Sequence, residues 1–364
     1  GGTLETENLT IGSAQGSDGQ VLTSTGSGVA WEDVSVSGGT QSFTASGSIS
    51  NGNIVGLTSD GKVKVVGALL GSPAVFNSGS TQEIYSVFDS SNNKVVICYV
   101  DAGDSSKGKA IVGTVSGTSI SFGSEAEFNG SSTGQIAPVY DSNSNRIVIA
   151  YSNTGGDSSD GYAIVGTVSS TSISFGTAVE FENANVSRVG ATFDSDGNKV
   201  VIVYRDEGNN DYGTAIVGTV SGTSISFGSA AVFESAGILY AKATYDTNAD
   251  KVVIAYRDQG NSNYGTAIVG TVSGTSISFG TAAVYYSGII TGNTITFDNN
   301  ANKVVIAYID SANSSKGKAV VGTVSGTDIS FGSASTFNTD ATDNVAIGFD
   351  TDSKKVVIAY EDDG

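Results

Sequence analysis

From residue 84 onward the chain alternates short runs of apolar, mostly β-branched residues with clusters of Asp, Asn, Ser, Thr and Gly. Residues 84–128 show the order. A β-rich run at 84–88 leads into a turn cluster at 89–93, whose short polar side chains bond their own backbone. A continuous apolar run follows at 94–99, a polar loop at 101–109, a second apolar run at 110–115, a Ser-Gly-Thr turn, and an alternating run at 119–122. Unbroken apolar runs of strand length predict strands covered on both faces, and the alternating run predicts a half-buried outer strand. Helical periodicity is absent, so the unit reads as four antiparallel strands, a to d.

The unit recurs. An aromatic-Asp pair stands at Phe88, Tyr140, Phe193, Tyr245, Phe297 and Phe349, at spacings of 52, 53, 52, 52 and 52. The same step carries Tyr99, Tyr151, Tyr204, Tyr256, Tyr308 and Tyr360, and a third series runs from Phe76 through Phe128, Phe181, Phe233 and Tyr285 to Phe337. Four short strands per unit at this period predict an all-β fold, a β-propeller of four-stranded antiparallel blades that cover one another's faces. Residues 53–56 and 62–66 match strands c and d, five complete units follow, and 345–360 supplies only a and b. That order predicts six blades, the last closed by strands from both ends of the domain, which would leave no free sheet edge. A solenoid with the same period is the competing architecture. The expected division is a Gly/Ser-rich attachment or linker segment at 1–50 and the propeller at 51–364. The chain has no Met and starts Gly1-Gly2, so earlier residues are expected to have been removed and the blade number stays open.

Composition narrows the chemistry. With no His, neither a Ser-His-Asp nor a Cys-His arrangement can form, and one Cys excludes an internal disulfide. A net charge of −19 opposes a phosphate backbone, so nucleic acid is not an expected partner. No apolar stretch approaches the length that spans a bilayer, so no membrane insertion is expected. Cys98 stands where other units have Ala or Val and reads as an inert buried thiol.

Two sets of carboxylates could carry chemistry. The a–b turns contain Asp141-x-Asn143, Asp194-x-Asp196, Asp246-x-Asn248 and Asp298-x-Asn300, oxygen-rich spacings that suit calcium. The twelfth position of each loop, where an EF-hand needs Glu, holds Ser152, Arg205, Arg257 or Ile309, so tight hairpin turns are the main reading and calcium the alternative; no other cofactor is expected. The second set, Asp101, Asp206, Asp258, Asp310 and Asp362, lies two residues after the recurring Tyr, with Asn153 in the remaining unit. Catalytic carboxylate pairs need distinct environments. A residue repeated in nearly every unit points instead to structure, and the chain is expected not to be an enzyme.

Variation between units marks candidate contacts. Strand cores and the a–b and c–d turns are nearly copied, whereas the d–a segments (77–84, 129–136, 182–189, 234–241, 286–293, 338–345) and the b–c loops diverge. Both should emerge at one propeller face, and loops on a rigid scaffold commonly carry recognition. Candidate ligand contacts there are Arg188, Tyr212, Tyr240, Tyr264 and Tyr286.

The segment Ser17-Asp18-Gly19-Gln20-Val21-Leu22, followed by Thr25-Gly26-Ser27-Gly28 and Trp31, resembles a motif frequent in bacteriophage tail fibres. The Asn-Lys-Val-Val-Ile-Ala-Tyr and Gly-Thr-Ala-Ile-Val-Gly-Thr-Val-Ser-Gly-Thr-Ser-Ile-Ser-Phe-Gly strings resemble repeats of marine phage structural proteins, cyanobacterial phages in particular. The resemblance implies a virion appendage, often homotrimeric, joined to other virion proteins through its N-terminal segment. It would adhere to a host-surface glycan or protein, or act as a spacer. A secreted or cell-surface lectin-like bacterial propeller is the alternative.

Overall fold

The computed structural model describes residues 10–11, 14–15, 20–24, 29–33, 55–57, 62–65 and 71–363. The chain divides into two compact units, Gly1–Gly71 and Ser72–Gly364. The described part of the first holds three antiparallel ladders: Thr10–Ile11 with Ala14–Gln15, Gln20–Ser24 with Val29–Asp33, and Val55–Leu57 with Val63–Val65. Leu22 lies opposite Trp31 in the second of these, within the phage-like motif. Ser17 to Gly19 and Thr25 to Gly28 of that motif, and Asn53 and Ile54 of the first expected c strand, lie outside the described residues.

In the second unit the repeats are antiparallel sheets. In the first repeat, inner strand Thr81–Asp89 pairs with Lys94–Asp101, which pairs with Lys107–Ser116, which pairs with Ser119–Phe122. The register recurs: Val95 faces Gly113, Val200 faces Gly218, Val252 faces Gly270 and Val304 faces Gly322. The final pair, Ser335–Asp350 with Lys355–Asp362, supplies only the first two positions.

The d–a connections differ from the expected loops. Ala126–Asp141, Ala231–Asp246, Ala283–Asp298 and Ser335–Asp350 are single 16-residue strands. The first half of each pairs with the third strand of the preceding repeat, and the second half is the inner strand of the next. The outer edge of a sheet is therefore shared between a four-residue strand and the start of the following repeat. Only at 183–185 does the strand break, between Val179–Glu182 and Val186–Asp194. The local reason is hydrogen bonding: the third strand is ten residues long, and the four-residue outer strand satisfies only one half of its edge.

The core lies between sheets, as the unbroken apolar runs require. One cluster joins Val148, Ala150, Ala163 and Val165 of the second repeat to Val200, Ile202, Tyr204 and Ile216 of the third, and equivalent clusters join the other neighbours. Val200 to Tyr204 are all fully buried, on both faces. Each such side chain contributes about 1.5–3 kcal/mol. Neighbouring sheets also approach through glycine: a Cβ on Gly176, Gly228 or Gly280 would sit 1.9 Å from the carbonyl oxygen of Thr223, Thr275 or Thr327 in the next repeat.

Candidate functional site

The two ends of the repeats are built differently. At one end lie the a–b hairpins, where Asp141, Asp194, Asp246 and Asp298 each accept backbone N–H groups two and three residues on, at 2.7 to 3.1 Å. These turns close with Asn145, Asn198, Asp250 and Asn302 in the left-handed region, the conformation that Asn and Asp tolerate. Asn143 and Asp196 contribute their N–H groups to the same motif. The carboxylates proposed as calcium ligands are thus engaged by their own turns, and among the described residues no three carboxylate, His or Cys groups come close enough to hold a metal.

The opposite end carries the b–c turns, and the d–a segments bond to them. Thr133 N donates to Ser106 O, Ile238 N to Asp211 O and Thr342 N to Ser315 O, while Thr154 N, Gln259 N and Asp363 N, after the following second strands, donate to Ser132, Gly237 and Ala341 of the same d–a segments. Within each inner strand at this end the ladder slips at a β-bulge, for example between Ser187 and Gly190 and between Leu239 and Lys242. The bulge places Glu83, Arg188, Tyr240 and Asn344 at φ of 46°, 54°, 55° and 47°, and the equivalent position in another repeat is Gly292 at 73°. Bulky residues in this region cost of order 1–3 kcal/mol, and such strain clusters at functional sites.

The six inner strands line one cavity of about 380 Å³, with residues from Tyr85, Ala137, Gly190, Lys242, Thr294 and Ala346 at matching repeat positions. Side chains meet there across the ring of strands: the Lys242 ammonium lies 5.1 Å from the centre of the Tyr85 ring, although three repeats separate them. Beside it the Arg188 guanidinium stacks over Tyr240 at 5.0 Å, and the Tyr85 hydroxyl donates to Glu83 at 3.3 Å. Burial lowers the pKa of Lys242; the Glu83 charge opposes that shift and Arg188 adds to it.

Arg188 and Tyr240, expected as ligand contacts, are therefore brought together, and Glu83, Tyr85 and Lys242 join them. The other expected contacts stand apart. Tyr212 and Tyr264 open the third strands of their repeats, opposite Asp206 and Asp258, and are partly exposed. Tyr286 is held between repeats: its hydroxyl donates to Asp310, its ring lies 5.1 Å from Tyr308, and Lys318 sits over it at 5.1 Å. Burial, then the Asp310 hydrogen bond, push its pKa up to about 12.

The recurring Asp after the b-strand Tyr stands in two kinds of junction. Asp101 accepts from Lys109 at 2.9 Å, and Lys109 also reaches Asp104 and Glu125 at 3.0 Å. Asp310 pairs with Lys318 at 2.7 Å. In the third and fourth repeats the equivalent of that Lys is Thr214 or Thr266, and the d–a residue is Glu182 or Glu234, bonded to Tyr204 at 3.2 Å and to Tyr256 at 3.1 Å. Burial first, then the charges of Asp206 and Asp258, raise the pKa values of Glu182 and Glu234; burial also raises Asp206.

No protein-family model matches the chain, and no curated protein does. Among solved structures it is similar to a Trypanosoma rangeli sialidase, at 10% identity and a TM-score of 0.52, over 86% of this chain and 56% of that one. A protein of unknown function from Dyadobacter fermentans matches at 13% identity and a TM-score of 0.48, over 66% of this chain and 78% of that one. A variant of the Aleuria aurantia lectin in complex with alpha-methyl-L-fucoside matches at 13% identity and 0.42, over 71% and 78%. At these identities the sialidase likeness speaks for architecture alone, and that architecture, with the antiparallel sheets and the shared cavity, is an all-β, propeller-like fold.

Proposed function

We propose that the chain is a non-enzymatic adhesion protein whose propeller recognises a host-surface glycan or protein through the end that carries the b–c turns and inner-strand bulges. The observation that carries this is the contrast between ends. One end repeats the same Asp-capped hairpin, while the other presents Glu83, Arg188, Tyr240, Gly292 and Asn344 at one repeat position. A scaffold that needed only to close would have no use for strained, individual side chains at one end. The phage-like motif at 17–31 supports a virion appendage that joins other virion proteins through the first unit, as a homotrimer. A cell-surface lectin uses the same binding end. Binding of the whole chain to host envelopes and to a glycan array tests the reading; retention on at least one host surface is expected, and failure on all of them leaves a spacer.

We further propose that the ring has six blades, the last completed by Val55–Leu57 and Val63–Val65. Among the described residues the second strand of the final pair, Lys355–Asp362, pairs with no third strand, and Val357 and Tyr360 are 56% and 40% exposed where their counterparts Val201 and Tyr204 are fully buried. In a ring so closed, the recurrent register would set Val357 opposite Val55. Val55→Cys with Val357→Cys is expected to cross-link under oxidation, with Cys98 too buried to interfere. Absence of the cross-link in the folded chain would reject six-blade closure.

A further inference from the structure

Resting on the adhesion reading, we infer that the mouth of the central cavity binds an acidic saccharide, its carboxylate or sulfate seated between the Lys242 ammonium and the Arg188 guanidinium.

The chain carries 36 acidic and 17 basic residues, so cations are scarce, and most in the repeats are spoken for. Lys107, Lys109, Arg205 and Lys318 sit in ion pairs, and Arg146 and Arg257 donate to carbonyl or amide oxygens. Arg188 and Lys242 differ from these, as do Lys303, Lys316, Lys354 and Lys355, but of that group only Arg188 and Lys242 stand against aromatic rings among the described residues. Among the described residues each meets only an aromatic face, and neither has an ion pair or hydrogen bond. They come from different inner strands yet meet at one place: Arg188 of Val186–Asp194 lies over Tyr240, two residues before Lys242 on Ala231–Asp246, and Lys242 lies over Tyr85. Glu83, the carboxylate at hand, accepts from the Tyr85 hydroxyl rather than closing an ion pair with either cation.

The rest of the mouth suits a sugar ring. Tyr85 and Tyr240 carry the two cations on their ring faces, so the charges stand beside apolar surface, and the Tyr240 hydroxyl is left to reach the hydroxyls of a sugar. The cavity holds a group of about 380 Å³, enough for one or two sugar residues. An unpaired ammonium taken out of water is costly, and an incoming anion removes that cost while the guanidinium supplies a bidentate donor fork. No other ring position offers this: the equivalents of Arg188 are Glu83, Gln135, Tyr240, Gly292 and Asn344, and those of Lys242 are Tyr85, Ala137, Gly190, Thr294 and Ala346. The site is therefore one per ring, not one per blade.

The test uses the full chain and three soluble probes of equal length: a hexuronate oligosaccharide, a sulfated one and a neutral one. Calorimetry is expected to show binding of an acidic probe, the two acidic arms reporting whether carboxylate or sulfate is preferred, with weakening at high salt. Lys242→Met is expected to weaken it at least roughly tenfold, and Lys242→Arg to retain most of it. Arg146→Ala, which removes the same charge at the opposite end, is expected to leave it unchanged. Thermal unfolding of each variant separates lost binding from lost fold. Binding of the neutral probe or of host envelopes that Lys242→Met does not affect would overturn the acidic-saccharide site while leaving adhesion intact. Equal loss in Arg146→Ala would overturn it as diffuse charge attraction. Failure of every probe and every host envelope would remove the adhesion reading itself.

Discussion

The junctions that open the first and fifth repeats solve one problem in one way, and those of the third and fourth solve it in another. All four bury a Tyr and an Asp from the second strand. In the first and fifth, Lys109 or Lys318 rises from the third strand and neutralises the Asp at 2.9 or 2.7 Å. In the third and fourth the cation is replaced by Thr, and a second carboxylate, Glu182 or Glu234, arrives from the preceding d–a segment. The difference teaches that a residue copied around a ring need not have copied chemistry. Asp101 has its pKa lowered chiefly by the Lys109 hydrogen bond, whereas burial raises that of Asp206.

The largest test of that contrast removes the cation. Lys109→Met leaves Asp101 buried beside Asp104 and Glu125, and is expected to cost about 3–5 kcal/mol in urea unfolding. A loss near zero would mean that the Lys is dispensable and the two junction types are equivalent. Next, Tyr286→Phe deletes the hydroxyl that donates to the buried Asp310 and is expected to cost about 1.5–3 kcal/mol, with Lys318 keeping the rest of that junction in place. Converting one type to the other is a smaller step. Thr214→Lys should supply the third repeat with the missing cation, stabilise it by about 1 kcal/mol at neutral pH, and bring the Glu182 titration down, as followed by carboxyl-resolved NMR.

The smallest effect has a sign that distinguishes the two types. A carboxyl whose pKa is raised on folding binds more protons in the folded state, so its contribution to stability falls as pH rises through the window between the unfolded and folded values. Glu182, Asp206 and Glu234 should therefore make acidification from neutrality mildly stabilising, and Glu182→Gln with Glu234→Gln should flatten that slope by less than about 1 kcal/mol because both groups are largely solvated. Asp101 and Asp310, lowered on folding, act oppositely: their contribution is present above the unfolded value and is lost as pH falls through the folded one. A stability curve in urea that Glu182→Gln and Glu234→Gln leave unchanged at every pH would show that the carboxylates in the third and fourth repeats do not interact.

Much of this architecture is legible before any coordinates. The second, third and short outer strands follow from apolar runs and turn clusters, because burial on both faces leaves no polar position to blur them. The d–a segments resist that reading. Their extended path depends on an unpaired half of the neighbouring third strand, which is a demand of the partner rather than of the segment. The bulges are equally hidden, since Arg188 and Tyr240 have no preference for the left-handed region that they occupy. Divergence among units marked Arg188 and Tyr240, which the structure brings into contact. It could not single out Lys242, whose relation to Tyr85 exists only once strands three repeats apart face each other. Nor could it separate Tyr286, tied down by Asp310, Tyr308 and Lys318, from Tyr212 and Tyr264, which open the third strands of their repeats.

The 16-residue strands have a mechanical corollary. Because one half of Ala231–Asp246 seals the edge of the third repeat while the other half forms the innermost strand of the fourth, pulling either repeat away strips hydrogen bonds from the other. Load applied to one of these repeats is handed on to its neighbour rather than concentrated at the boundary between them.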